Sequence, residues 1–459
     1  MTTVTLRFAD RLREALVEDR DARFVFLGNF EVEEVWAGTA GRLPGSGVKS
    51  SAAVVHRMEE FALSVASDAD FVILKAAVDA GFAGHLAAQG LELPRTLIVD
   101  ENRPERTITV DAMESPRLIE RLRGLADDRT YLLPLGVSEL EERLSRATGI
   151  PLAAPSAAVF RHVNSKAYSR RLGDELGLRS APGYIVSTVG ELRGLAGAST
   201  QMLDRAGRIV VKEVLGVSGK GVVVIDRARR LEQLTAMLER RAQRGGDGRL
   251  EVVVEEWIEK ACDLNYQFVI ARDGAVTFDF VKEAVTERGV HKGHVMPSRL
   301  GADQTDELRD AAQRIGERLF ADGYHGVVGV DAILGAAGDL YPILEINARF
   351  NMSTYQTDVA ERFLGSDRVA LARHYPLRLL RRRSFADVAE HLGPALFDPE
   401  REAGFLVNNF AAVNAAAGTG GAFDGRLYGL CIAESAAAVA RLDADVEARL
   451  AALREGRDR

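Results

Sequence analysis

The stretch GVVGVDAILGAAGDLYPILEINAR, residues 326–349, constrains this chain most, because it sets acidic side chains inside runs that are otherwise apolar. Val328, Val330 and Ile333 alternate with small residues, GAAGD follows, and residues 340–346 are apolar again. That pattern predicts a strand, a Gly-rich turn and a returning strand. Asp331 lies in the first strand, while Glu345 and Asn347, two residues apart on the second, share a face because strand side chains alternate. Carboxylates at strand centres are costly to bury unless a cation offsets the desolvation. Two carboxylates and a carboxamide oxygen are hard donors of the kind Mg²⁺ takes together with substrate phosphates. Arg349 adds a planar donor fork suited to phosphate. Any one of these residues taken alone reads better as a polar group facing water; the set, flanked by apolar residues on both sides, reads as a metal site.

At 459 residues the chain exceeds one ordinary core, and two or three domains are expected. The balance of 27% charged against 47% hydrophobic residues is that of a soluble globular protein. No apolar run is long enough to span a bilayer, and the charged N-terminus lacks a signal-peptide core, so a cytoplasmic enzyme without membrane contact is expected. Cys262 and Cys431 form neither a disulfide framework nor a metal-ligand spacing. The net charge of −8 argues against general binding to nucleic acid.

Residues 1 to about 150 predict an α/β domain: the apolar runs at 24–27, 71–74, 96–99 and 131–133 alternate with helical patterns such as 52–66 and 139–147. The segment holding Gly38, Gly41, Gly45 and Gly47 lacks the spacing of a dinucleotide fingerprint and reads as a surface or substrate loop. After Pro151 and Pro155, residues 159–176 predict helix, with Asn164 or Ser165 as N-cap. Lys166 then falls in a first turn, where it opposes the helix dipole. The strand RIVVK ends in Lys212, and Gly216, Ser218, Gly219, Lys220 and Gly221 form a turn whose backbone N–H groups can approach an anion. An ordinary hairpin fits that turn equally well. Residues 250–258, LEVVVEEWI, predict a strand, and Asp263, two further strands and Lys282 follow. The tract 286–298 holds Arg288, His291, Lys292 and His294 and reads as a mobile loop or a cationic lip over an anionic substrate, but not as a zinc motif.

In this order, NSK at 164–166, VVK ending at Lys212, the glycine turn, EEWI at 255–258 and D-x₁₃-E-x-N from Asp331 to Asn347 resemble an ATP-grasp domain over residues 155 to about 352. The whole chain is similar to the peptide ligases related to the pheganomycin ligase, on LGNFEVEEVW, VFRHVNSKAYSR and the C-terminal tail. The resemblance implies an α/β and α+β multidomain chain: a pre-ATP-grasp α/β domain over 1–154, an ATP-grasp domain over 155–375 and a small C-terminal α+β domain over 376–459. It implies that Lys166 and Lys212 touch the ATP phosphates, that the turn from Gly216 to Gly221 closes over them, and that Glu255, Glu256, Trp257 and Ile258 form the adenine hinge. Glu255 would accept from the adenine amino group through its carbonyl, and Ile258 would donate its N–H to the ring. Asp263 would bind ribose, and Asp331, Glu345 and Asn347 would hold two Mg²⁺ ions, with Mn²⁺ as a substitute. Arg349 would meet the transferred phosphoryl group or the acyl phosphate, and Lys282 is a further candidate for the phosphates; Gly329 stands where D-alanine-ligase relatives carry an arginine, a charge for which Arg288 or Arg349 is the candidate.

The implied activity joins a carboxylate to an amine, an amino acid or peptide, through an acyl phosphate, in biosynthesis of a peptide-like small molecule. A homodimer is compatible with it. The alternatives are an ATP-grasp enzyme of different outcome, a bicarbonate-dependent carboxylating enzyme or a kinase, and last a non-catalytic nucleotide-binding protein.

Overall fold

The computed structural model describes residues 6–38, 43, 52–216, 221–245, 249–287, 290–365, 367–418 and 420–454. Among the described residues three sheets form. The first is parallel, in the order β3-β2-β1-β4, from β1 Arg23–Leu27, β2 Phe71–Leu74, β3 Arg95–Ile98 and β4 Thr130–Pro134. Both faces are buried, which is why these strands are continuous apolar runs. Val25, Leu27, Ile73 and Leu97 pack on one side, and Phe24, Phe26, Val72 and Leu74 on the other. The run 52–66 is not one helix: a short helix Ala52–Val55 gives way to a tighter 3₁₀ segment Met58–Ser64. The tightening lets two buried carboxylates reach backbone donors. Glu59 accepts from Lys75 N at 3.1 Å, and Glu60 accepts from the Phe410 and Ala411 N–H groups at 2.7 and 2.6 Å.

The second sheet is antiparallel, in the order β5-β8-β6-β7, from β5 Gly183–Thr188, β6 Ile209–Glu213, β7 Val222–Ile225 and β8 Arg249–Glu256. Its apolar face packs Ile209, Val211, Val252 and Val254 against Leu231, Leu234 and Leu238 of the amphipathic helix Ala228–Gly245.

The third sheet is also antiparallel and runs β13-β12-β9-β10-β11-β14-β16-β15. Its strands are β9 Lys260–Ile270, β10 Val276–Glu287, β11 Val290–Met296, β12 Gly326–Gly335, β13 Leu340–Asn347, β14 Val369–Leu379, β15 Gly404–Asn409 and β16 Phe423–Ala433. The expected hairpin of residues 326–349 is β12 and β13, with Asp331 directly opposite Glu345. The tract 286–298 is strand at 286–287 and 290–296 rather than loop. β11 pairs with both β10 and β14, and from it Met296 and His294 are buried, the latter with Nε2 3.1 Å from Ser353 Oγ. The boundary expected at 375/376 falls inside β14. Through β14, β16 and β15 the C-terminal segment extends the sheet of the preceding domain, where it covers an edge that β11 would otherwise expose. No helix among the described residues is long and apolar enough to cross a membrane.

Candidate active site

The exposed edge of β13 is covered by the helix Lys166–Glu175, whose Ser169 hydroxyl accepts from the Ile346 N–H at 3.0 Å. Ser165 caps that helix by accepting from Tyr168 N at 3.1 Å. This docking sets Lys166 over the hairpin: its Nζ donates to Glu345 Oε1 at 2.7 Å and to the Gly216 carbonyl at 3.2 Å. The Lys166 N–H also donates to the Val214 carbonyl at 2.9 Å. One lysine thus joins the carboxylate hairpin to the start of the glycine turn.

Opposing residues in antiparallel strands project from one face, and the register lines up Glu345, Asp331, Asn265 and Lys282 across β13, β12, β9 and β10. Asp331 accepts from Asn265 Nδ2 at 2.9 Å and from Asn347 Nδ2 at 3.2 Å. Burial, and next the charge of Glu345, pushes the Asp331 carboxyl up to about 6 despite those donors. The Asn265 carboxamide oxygen is buried without a hydrogen-bond partner. A cross-strand carboxylate pair and an orphaned hard oxygen, with no sulfur or imidazole, make a donor set that fits Mg²⁺. Among the described residues no three His, Cys, Asp or Glu side chains gather into a group that could hold a metal ion. Asn347 turns its nitrogen to Asp331, while its oxygen accepts from Arg349 Nη2 at 2.9 Å. Ligation by that oxygen requires the amide to turn over, which releases Arg349.

Lys212 lies at the end of β6, with Nζ 2.7 Å from Glu255 Oε2. Burial lowers the hold of its ammonium on the proton, and the charges of Glu255, Glu345 and Asp331 more than offset this, so it is raised above its ordinary value. The Glu255 carboxylate therefore faces Lys212, and also Arg170 at 3.5 Å. Gly221 needs its left-handed φ of 75°, and a Cβ there would meet Glu213 Oε2 at 2.6 Å. Ser218, Gly219, Lys220 and Arg288 lie outside the described residues.

The Glu256 carboxylate pairs with Arg205, and the Arg208 guanidinium stacks over the Trp257 ring at 5.0 Å. Trp257, Ile258 and Glu259 line a cavity of about 230 Å³ with Gly335, Ala336, Ala337, Asp339 and Tyr341. There the Ala336 N–H donates to the Glu259 carbonyl at 2.9 Å, pinning the turn of the carboxylate hairpin to the segment that follows β8. Asp263 accepts from Lys260 Nζ at 2.5 Å and from Thr286 Oγ1 at 2.7 Å.

Lys282 is placed differently from the other cations. It is buried, donates to the Ser353 carbonyl at 2.8 Å, and stands 3.9 Å from the Phe280 ring centroid. Burial holds its ammonium well below the ordinary lysine range. Arg349 donates through Nε to Glu33 Oε1 at 2.7 Å and through Nη2 to the same oxygen. The space beside Gly329 is filled by Asn351, whose Nδ2 a Cβ at that position would strike. Glu33, Asn265 and Asn351 are not legible in the sequence as site residues. For Asn265 a signal exists: Asp263, Asn265 and Gln267 alternate with Leu264, Tyr266 and Phe268, a polar face on a strand at the middle of a sheet.

Residues 58–150 match the Pre ATP-grasp domain family and residues 196–353 the ATP-grasp domain family. The chain is 30% identical over 230 residues to the [butirosin acyl-carrier protein]–L-glutamate ligase of Niallia circulans, which covers 50% of this chain and 53% of that protein. It is 25% identical over 214 residues to the mitochondrial methylcrotonoyl-CoA carboxylase subunit alpha of Dictyostelium discoideum, covering 46% of this chain and 29% of that one. The chain spans about half the length, or less, of these relatives. Among solved structures, an ADP complex of N5-carboxyaminoimidazole ribonucleotide synthetase superimposes with a TM-score of 0.53 at 12% identity, over 97% of this chain and 98% of the other. The N5-carboxyaminoimidazole synthetase of Staphylococcus aureus gives 0.51 at 12%, over 94% and 97%. At such identities the likeness speaks for the fold.

Proposed function

We propose that this chain, which carries a pre-ATP-grasp domain followed by an ATP-grasp domain, is a ligase that joins a carboxylate to an amine through an acyl phosphate, in the biosynthesis of a peptide-like small molecule. The observation that carries this reading is the Asp331–Glu345 pair bridged to the glycine turn by Lys166, with Arg349 bonded to the neighbouring Asn347. The similarity to a ligase whose name joins an acyl-carrier protein and L-glutamate supports the acid-plus-amine class.

A carboxylate is a poor electrophile because its leaving group would be oxide. Transfer of the γ-phosphoryl group of ATP makes that oxygen part of a phosphate, which leaves readily, and the amine then attacks the carbonyl carbon. Phosphoryl transfer depends on alignment and charge neutralisation. In this reading Lys166 and Lys212 hold the ATP phosphates, residues 255–258 hold the adenine, and Asp263 the ribose. Asp331, Glu345 and Asn347 would hold two Mg²⁺ ions, whose charge offsets that of the phosphates. Arg349 meets the transferred group. A cytoplasmic enzyme acting on small molecules completes the reading.

The test is incubation with ATP, Mg²⁺ and a panel of amino acids that includes L-glutamate, with and without hydroxylamine. ADP and phosphate, together with amide or hydroxamate, are the expected products. AMP and pyrophosphate would mean an acyl adenylate and would overturn the reading, and ADP release that depends on bicarbonate alone would replace it with carboxylation.

A further inference from the structure

Glu33 follows β1 at the carboxyl end of the parallel sheet, on the short helix Val32–Ala37. The order β3-β2-β1-β4 reverses direction between β1 and β4, and in open α/β sheets the crevice at such a reversal is where ligands bind. Here that crevice meets the carboxylate hairpin. The chain leaving β13 bonds to the chain leaving β4 through the Phe350 N–H and the Leu135 carbonyl at 3.1 Å. Across the crevice mouth, Asn29 Nδ2 donates to the Gly136 carbonyl at 2.8 Å. Glu33 projects from this point onto Arg349. Only Oε1 is used, taking both Nε and Nη2, and Oε2 carries no hydrogen bond among the described residues. Both side chains are mostly buried, at 13% exposure each, so neither charge is dissipated in water.

The charge balance changes once a substrate arrives. When Arg349 takes an acyl phosphate, Glu33 loses its counter-ion and stands beside another anion, an arrangement that needs a new cation. An amine substrate enters as an ammonium, which carries that charge. We infer that Glu33 is the subsite for the amine: its carboxylate binds the substrate ammonium next to the acyl phosphate that Arg349 takes, and accepts the proton that frees the nucleophile. The inference rests on the ligase reading above.

In that step the ammonium gives one proton to Glu33, and the nitrogen lone pair forms the C–N bond. The C–O bond to phosphate breaks with its electron pair going to the phosphate, which also takes the second nitrogen proton. Amide, hydrogen phosphate and a protonated Glu33 result.

Hydroxylamine separates this role from a merely structural one, because it is uncharged near neutral pH and needs neither an anionic partner nor a base. Glu33→Gln keeps the shape of the side chain and a carbonyl oxygen toward Arg349. With amino acids as carboxylate and amine, the ratio of amide to hydroxamate formed should drop by at least ~10-fold in this variant, the loss of a charge-assisted contact and a proton acceptor. Glu33→Asp should restore part of the ratio, and far-UV circular dichroism checks the fold of both. If the two products fall in parallel, Glu33 only holds Arg349 and the inference is wrong; an unchanged ratio overturns it as well. ADP release by the unsubstituted protein without amide or hydroxamate would instead refute the ligase reading, and with it this subsite.

Discussion

Replacing Lys166 by Met removes the cation that now joins Glu345 to the glycine turn while keeping the length of the side chain. At the observed 2.7 Å, an effective dielectric constant of about 20 gives an attraction of about 6 kcal/mol. Much of this is offset by desolvation, since the two side chains are only 10% and 26% exposed. A net loss of about 2 kcal/mol follows from what hydrogen bonds to charged groups contribute. Glu345 then faces Asp331 across the strand pair without its ion-pair partner, and the charges of Lys212 and Arg349 offset the repulsion only in part. Spread over a domain of about 200 residues, this corresponds to a fall in Tm of roughly 4–8 °C. The variant should also respond more to Mg²⁺ than the parent does, because the ion no longer competes with an ammonium for Glu345. At a concentration of about ten times Kd, linkage returns about 1.4 kcal/mol. Scanning calorimetry of both proteins with and without Mg²⁺, and no nucleotide, measures both effects. Equal Tm values and equal Mg²⁺ responses would refute the reasoning that these carboxylates form a cation site shared with Lys166.

Lys212→Ala should weaken ATP binding about 10- to 100-fold in titration calorimetry, through loss of a charge-assisted contact; unchanged affinity would remove Lys212 from the nucleotide site. Glu60 gives a pH effect of defined sign. Burial first of all pushes its carboxyl from 4.5 up to about 7, even though the Ala411 and Phe410 N–H groups favour the charged form. The folded state therefore binds this proton more tightly than the unfolded chain does. The contribution is fully present below about pH 4.5, falls as pH rises through about 7, and amounts to roughly 3 kcal/mol. Glu60→Gln stays neutral and keeps an acceptor for both N–H groups, so its Tm should decline less than that of the parent between pH 5 and 8, and parallel Tm curves would contradict this account.

The carboxylate hairpin is legible in the sequence because two local rules coincide there. Period-two alternation marks the strands and glycines mark the turn, so the residue order alone places Asp331, Glu345 and Asn347 on one face. The strands of the first domain and a cap at Asn164 or Ser165 before Lys166 are legible for the same reason, since each is written within a few consecutive residues, and the structure puts the cap at Ser165. The tract 286–298 reads as a loop because its polar composition outweighs its alternation, and only the pairing of β11 on both sides shows where the backbone hydrogen bonds go. Likewise nothing local shows that the 375/376 boundary falls within a strand, because continuity of a sheet depends on neighbours distant in sequence. Side-chain direction is decided by tertiary structure alone. Lys282 and Lys166 are both lysines beside the same row of strands, yet one faces the Ser353 carbonyl and the other Glu345, according to which segment packs over each. Glu33 lies 316 residues from Arg349, and no local pattern connects them. Composition and periodicity determine which residues share a strand face, because that information is local; the fold decides which opposite charges meet, because burial and charge pairing depend on the whole chain.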